Sequence, residues 1–330
     1  MEQIIQQAMN DDILAQASIL YDFAKDTIKD IGGFENFVFE YEKNNTPYII
    51  RFVHSKHREY HYVLAELEFI DYLNRNGASV STVIHSKDDH LVEKIELENG
   101  HYFTVAVFTK AKGAPVKQEE MNRELFKTLG KETGKLHRLT KDYIPKHRRY
   151  EWYEEDYVKT CKPFIKEEDQ FTIDKAYQII DKVKSFEKTK DTYGLIHTDL
   201  HFGNMFYHEG TFTIFDWDDS SYKYFISDIA IILYYYFVFG NRDKERIPTA
   251  TWLLKAFFEG YDQENTIDKK LLYDLNDFLK LRETVLFLVL SAHNFAGDHP
   301  GRNKFLEMLK NNIKNEIPFF ESLEFIKELL

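Results

Sequence analysis

Between Gly194 and Asp228 the chain reads GLIHTDLHFGNMFYHEGTFTIFDWDDSSYKYFISD, and its polar side chains recur at a spacing suited to one reaction. Phosphoryl transfer to a hydroxyl asks for one carboxylate near the attacking oxygen. It also asks for an amide oxygen and a second carboxylate that together hold magnesium on the nucleotide phosphates. Asp199, Asn204 and Asp216 supply all three. Asp199 and Asn204 are expected at the two ends of one short loop. Met205 to Tyr207 and Thr211 to Phe215 read as a hairpin around His208-Glu209-Gly210, returning Asp216 beside Asn204.

The elements that must position this block divide by period. Asp11 to about Lys29 carries apolar residues at helical spacing. Phe37 to Tyr41 and Tyr48 to Val53 are β-rich runs joined at Lys43-Asn44-Asn45, a hairpin. Tyr62 to Asn76 is again helical, and Val80 to Ile84, Leu91 to Leu97 and Tyr102 to Thr109 complete a small, mostly antiparallel sheet. Beyond Gly113, the segments Met121 to Leu139, Phe171 to Phe186, Phe225 to Phe239, Pro248 to Tyr261 and Leu271 to Phe295 are expected helices. The expected fold class is α+β and bilobal, with a β-rich lobe over 1–109, a hinge at 108–113 and a helical lobe over 114–330.

Composition narrows the function classes. The 330 residues suffice for two lobes, and 43% hydrophobic with 30% charged residues is ordinary for a globular chain. A net charge of -12 repels a phosphate backbone, so no nucleic acid partner is expected. One cysteine, Cys161, allows no internal disulfide and no zinc site of several thiolates, which fits the cytoplasm. The longest apolar run, Ile229 to Phe239, is about half a membrane span, and the N-terminus lacks the marks of a signal peptide. No membrane partner is expected.

On the His197-x-Asp199-x-x-x-x-Asn204 block followed by Asp216-Trp217-Asp218, the sequence resembles the aminoglycoside phosphotransferase and choline kinase-like superfamily, relatives of the protein kinases. Gly32-Gly33-Phe34-Glu35-Asn36, Ile49-Ile50-Arg51, Leu64-Ala65-Glu66 and Gly134-Lys135-Leu136-His137 extend the resemblance in the family's order over about residues 11 to 295. The resemblance implies a protein-kinase-like fold with ATP between the lobes and the Phe108 to Gly113 hinge, including Lys110, beside adenine. Asp199 matches the catalytic aspartate that orients the acceptor hydroxyl, and His197 the histidine that braces its loop. Asn204 and Asp216 match the Mg2+ ligands. Arg51 matches the strand cation on the phosphates, Glu66 its ion-pair partner, and Gly33 and Asn36 the nucleotide loop. Asp228 matches an aspartate that opens a helix and ties down loop amides. Arginine at position 51, where many relatives carry lysine, resembles the homoserine kinase and stress-response kinase branches; arginine still grips phosphate, often through two hydrogen bonds.

The expected activity is ATP- and Mg2+-dependent phosphorylation of a hydroxyl on a small molecule such as an amino-alcohol, aminoglycoside or sugar. A protein Ser/Thr kinase would use the same residues, but only eleven residues separate Asp216 from Asp228, short for a peptide-docking segment. A nucleotide-binding pseudokinase would be expected to lose Asp199, Asn204 or Asp216, and all three are present. Candidate acceptor residues are Asp218, Asp219, Trp152, Tyr153, Arg282 and His293. Trp152 and Tyr153 among acids suit either a cage for a cationic substrate or a solvated amphipathic helix. His54, His57 and His61 are expected on a solvated surface and not at a metal. Gly130 to Lys135 imitates a phosphate loop, with its glycines one residue too close, and is expected as a helix face.

Overall fold

The computed structural model describes residues 3–33, 35–160, 169–241, 244–292 and 299–329; Phe34, Cys161 and His293 lie outside the described residues. Two compact units form. The first is Met1–Ala114 with Asp142–Arg149 and Met205–Asp218; the second is Pro115–Lys141 with Tyr150–Asn204 and Asp219–Leu330. Two segments that sequence reading places in the helical lobe, 142–149 and 205–218, thus cluster with the β-rich part.

The first unit opens with helices α1 (Gln3–Ala8) and α2 (Asp11–Tyr21). The side chain of Asn10 caps α2 by accepting from the amides of Asp12 and Ile13 at 2.9 and 3.1 Å. The helix stops earlier than its periodicity suggests, because Asp22 turns left-handed at φ 57° and lets Phe23 enter the core. Lys29–Gly32 is then a strand, β1, not helix. It is followed by β2 (Phe37–Lys43), β3 (Thr46–His54), helix α3 (Tyr60–Arg75), β4 (Val83–Ile84), β5 (Glu93–Glu96) and β6 (Tyr102–Thr109). The sheet is antiparallel in the order β1-β2-β3-β6-β4, with β5 also on β6. Asn44 and Asn45, at φ 53° and 60°, make the β2–β3 turn, where asparagine tolerates the left-handed conformation.

Alternation along β3 decides what each residue meets. Ile50 and Phe52 join the core under α2 with Ile13, Ala17, Phe103 and Val105. Arg51 points the other way, to Glu66 on α3. The hairpin Met205–His208 with Thr211–Ile214 attaches to this unit through Ser81 N to Ile214 O at 3.0 Å and Tyr207 N to Ala114 O at 3.0 Å.

The second unit is built from α4 (Arg123–Asp142), α5 (Asp156–Thr160), α6 (Gln170–Lys184), α7 (Phe225–Tyr235), α8 (Arg246–Tyr261), α9 (Leu275–Ala292) and α10 (Pro300–Lys314). Gly130 and Gly134 lie on the buried face of α4 against the carbonyls of Phe257 and Tyr261, so Gly130 to Lys135 is a helix-packing surface. Helix α7 runs into a π-helical turn, Tyr236–Gly240, and α9 begins only after a 3-10 stretch, Lys269–Asp274. Residues 193–196 and 221–224 pair as two short antiparallel strands that periodicity alone does not reveal. Among the described residues no helix is long and apolar enough to cross a membrane; Ile229 to Val238 is buried core except for the half-buried Tyr235.

Candidate functional site

The chemistry-bearing residues form one cluster in each unit. In the first, a cavity of about 460 Å³ is lined by Gly33, Arg51, Glu66, Phe108, Lys110 and Asp216, among others. Arg51 Nη2 donates to Glu66 Oε2 at 2.7 Å, and both residues are buried. Burial by itself would lower the Arg51 pKa; Glu66, with Asp218 and Asp216 behind it, outweighs burial and raises it, so the guanidinium stays charged. Among the described residues, Arg51 Nε and Glu66 Oε1 have no hydrogen-bond partner. A buried donor on a cavity wall is suited to a phosphate oxygen. Gly33 is the residue this wall requires, since a Cβ there would strike the carbonyl of Asn36. Lys110 Nζ donates to Glu40 Oε2 at 2.6 Å.

Asn36 is not part of the cavity wall. Its Nδ2 donates to Asp218 Oδ2 at 3.0 Å, which also faces His57 Nε2 at 3.1 Å, while Arg58 Nε stands 3.6 Å from Asp218 Oδ1. Burial would raise the Asp218 carboxyl, but Arg58 and then His57 hold it well below the usual carboxylate range. The expected surface holds for His61, which is exposed, and is corrected for the other two: His54, at the end of β3 against Phe103, is 3% exposed, and His57 is nearly buried because the turn after β3 folds inward onto Asp218. The same partners occupy the carboxylate of Asp218, first considered for the acceptor. Asp216 sits two residues earlier with φ 63°, a left-handed conformation that costs an aspartate energy and marks functional turns.

In the second unit, Asp199 is held on both oxygens. Arg282 Nη2 donates to Oδ1; Asn204 Nδ2 donates to Oδ2 at 3.1 Å, and His201 Nε2 lies 3.3 Å from the same oxygen. Burial would raise this carboxyl; Arg282 and then His201 outweigh it and keep Asp199 well below the ordinary carboxylate range. The loop is braced from within, Asp199 N donating to His197 Nδ1 at 3.3 Å. It is braced from behind by Asp228 on α7, which accepts from Thr198 N at 2.9 Å and His137 Nε2 at 3.2 Å. The carbonyl of Asp219 accepts from Thr198 Oγ1 at 2.6 Å.

Neither reading of Trp152 and Tyr153 describes what forms. They lie in a single 3-10 turn, Trp152–Glu154, and Trp152 is 3% exposed. Their faces already hold the chain's own cations, Lys223 over Trp152 at 5.6 Å and Lys184 over Tyr153 at 4.3 Å. Lys223 is buried, and burial, helped by Arg282, pushes its ammonium down to about 8 against the pull of Asp228, Glu155 and Asp199. Two relationships escape the sequence, Arg282 on Asp199 and His57 on Asp218, because neither pair belongs to a local motif.

Taken singly, Asn204 and Asp216 each carry an oxygen donor of the kind a hard divalent cation takes. A carboxylate and an amide oxygen are the ligand types such ions take, and Asn204 spends its Nδ2 on Asp199, leaving Oδ1 as an acceptor. Among the described residues no group of three or more His, Cys, Asp and Glu is arranged to hold a metal.

Comparisons with known proteins show the family. The profile of the family described as "Phosphotransferase enzyme family" matches residues 27–264. The chain is 35% identical over 315 residues to the amicoumacin kinase of Bacillus subtilis (strain 168), covering 93% of this chain and 92% of that protein. A solved amicoumacin kinase in complex with AMP-PNP, Ca2+ and Ami superposes with a TM-score of 0.93 at 30% identity, covering 100% of both chains. A microcompartment-associated aminopropanol kinase shares the fold with a TM-score of 0.72 at 19% identity, over 92% of this chain and 95% of its own.

Proposed function

The chain belongs to the phosphotransferase enzyme family, with its α+β protein-kinase-like fold and an alcohol group as acceptor, and we propose that it is an ATP- and Mg2+-dependent kinase of amicoumacin or a chemically close molecule. The observation that carries the nucleotide half is the buried Arg51–Glu66 pair, 2.7 Å apart on the wall of a cavity that Asp216 also lines. The identity of 35% over 93% of the chain carries the choice of acceptor. That choice favours a small molecule over a protein substrate for the same set of residues.

ATP supplies the transferred phosphoryl group, and the divalent cation offsets charge on its phosphates. Arg51 grips phosphate oxygens, and Glu66 fixes the direction of its guanidinium. Asn204 and Asp216 are the proposed cation ligands. Support comes from the ladder: Asn204 precedes Met205, and Asp216 follows two residues after Ile214, the residue opposite Met205. Asp199 orients the acceptor hydroxyl, and its ionised state is maintained by its neighbours. Catalysis of this kind is positioning and charge neutralisation, with no covalent enzyme intermediate.

The test is a panel of amicoumacin, aminopropanol and spectinomycin incubated with the protein and MgATP, reading ADP release and phosphorylated product. Amicoumacin is expected to show the highest kcat/KM. Turnover of another alcohol in its place would reassign the acceptor, and no ADP release with any of the three would count against the kinase reading itself.

A further inference from the structure

Three side chains of the second unit close a ring with the carboxylate of Asp199. Arg282, on α9, donates through Nη2 both to Asp199 Oδ1 and to the hydroxyl of Tyr235, the last residue of α7. Tyr235 stacks on His201, centroids 4.1 Å apart and planes within 5°. His201 Nε2 returns to Asp199 Oδ2 at 3.3 Å. Arg282 is 8% exposed, and its Cζ also lies 5.0 Å from the Tyr235 ring centre.

We propose that Arg282 is a positioning residue, which with Tyr235 and His201 fixes the rotamer of the Asp199 carboxylate so that it meets the acceptor hydroxyl in one orientation. The inference rests on the reading of Asp199 as the acceptor-orienting group, and it reassigns Arg282 from acceptor selection to support of Asp199. Three features carry it. The guanidinium has two oxygen partners inside the protein and holds them from a rigid helix. The second partner, Tyr235, is itself stacked flat against His201, so the arginine cannot swing without losing its hydrogen bond to a held hydroxyl. Asp199, by contrast, sits on a loop whose preceding residue, Thr198, has φ 63°, and a loop carboxylate needs side-chain contacts to stay in one rotamer.

Misplacing a reacting group by about 1 Å costs roughly a hundredfold in rate. Arg282→Met is therefore expected to lower kcat for amicoumacin phosphorylation by about a hundredfold. The dissociation constant for MgATP is expected to stay within about twofold, since the nucleotide residues named above do not include Arg282. Arg282→Lys, which keeps the charge but not the planar guanidinium, should recover part of kcat. Tyr235→Phe, which keeps the stack and removes the hydroxyl, should fall between wild type and Arg282→Met. Wild-type kcat in Arg282→Met beside an inactive Asp199→Asn overturns this inference and leaves the kinase reading standing. Equal loss of MgATP affinity and kcat overturns it too, as general disruption. An active Asp199→Asn overturns the reading on which it rests. Should amicoumacin prove not to be the acceptor, or Arg282→Met fold poorly, a double-mutant cycle between Arg282→Lys and Asp199→Asn in urea unfolding reads the pairing without any acceptor. Zero coupling there overturns the inference, and measurable coupling supports it.

Discussion

Asp228 accepts the backbone amide of Thr198 at 2.9 Å across thirty positions of sequence, with its other oxygen 3.2 Å from His137 Nε2. One buried carboxylate on the first turn of α7 thus ties the loop before Asp199 to α4. Thr198 has φ 63°, a conformation that persists only where its surroundings impose it.

Removing that carboxylate should loosen the loop. Asp228→Ala leaves a buried amide and a buried imidazole nitrogen without their acceptor, at about 1 to 3 kcal/mol for each group. Urea unfolding is expected to show the loss, with kcat falling in the same protein. Asp228→Asn, which keeps one acceptor oxygen, should lose less, and an alanine variant of wild-type stability would contradict this role.

Arg51 separates charge from geometry. Arg51→Lys keeps a cation facing Glu66 but loses the planar fork, so a raised KM for ATP with surviving turnover is expected. Arg51→Ala should remove most turnover and also orphan Glu66, which is 0% exposed. ATP titrations of the two variants check both statements; wild-type ATP kinetics in Arg51→Ala would remove this strand from the phosphate site.

With Asp216 in its proposed role as a cation ligand, Asp216→Asn is expected to weaken nucleotide binding strongly in the presence of Mg2+ and little in its absence, because a ligand acts on the nucleotide only through the ion. Calorimetric titration of ATP with Mg2+ and with EDTA distinguishes the two. Equal weakening under both conditions would argue for a direct structural role.

Lys223 predicts a pH dependence of stability. Its ammonium is pushed down to about 8 from 10.5, first by burial and then by Arg282. A base with a lowered pKa in the folded state is protonated in both states below pH 8, so the cost of burying the charge is fully present there. Between pH 8 and 10.5 the unfolded chain binds more protons, and the folded state gains relative stability as pH rises. Lys223→Met should therefore be more stable than wild type at pH 7, by up to the order of 3 kcal/mol. That advantage should shrink as pH passes from 8 toward 10.5, measured by urea midpoints of both proteins across the range. A difference independent of pH would show that packing against Trp152, and not charge, sets the effect.

Helix packing supplies a sign test between two glycines. Alanine is ordinarily better than glycine in a helix by up to about 1 kcal/mol. At Gly260 the added Cβ would run into the carbonyl of Lys127 on α4, an overpacking that costs about 1 to 3 kcal/mol and should lower the melting temperature. At Gly301 on α10 nothing among the described residues lies within 4 Å, so Gly301→Ala should be neutral or stabilising. Thermal unfolding of both variants checks the opposite signs.

The local half of this protein was readable from its residues. The asparagine turn at 44 and 45, the strand Tyr102–Thr109 and the hairpin after Asn204 follow from turn chemistry and two-residue alternation, which act over neighbouring positions. Asp199, Asn204 and Asp216 stand out as candidates for the same reason, since they lie within one short stretch of chain. Helix limits were less so: α2 ends at Tyr21 because Phe23 gains more by entering the core than by extending a helix in water. His57 shows the limit most clearly, reading as a surface residue until the turn after β3 delivers it to Asp218, 161 positions away.

Tertiary structure decided which charges meet. Arg282 lies 83 positions from Asp199, and nothing in its neighbourhood distinguishes it from the other basic residues among 43. Whether a lysine such as Lys223 is an ordinary cation or one pushed toward neutrality depends on the water it has lost and on the charges packed against it. Residue type sets what a side chain is able to do, and spacing sets which near neighbours it acts with. Desolvation and long-range pairing exist only once the chain has closed on itself, because both are properties of the space around a group and not of its place in the sequence.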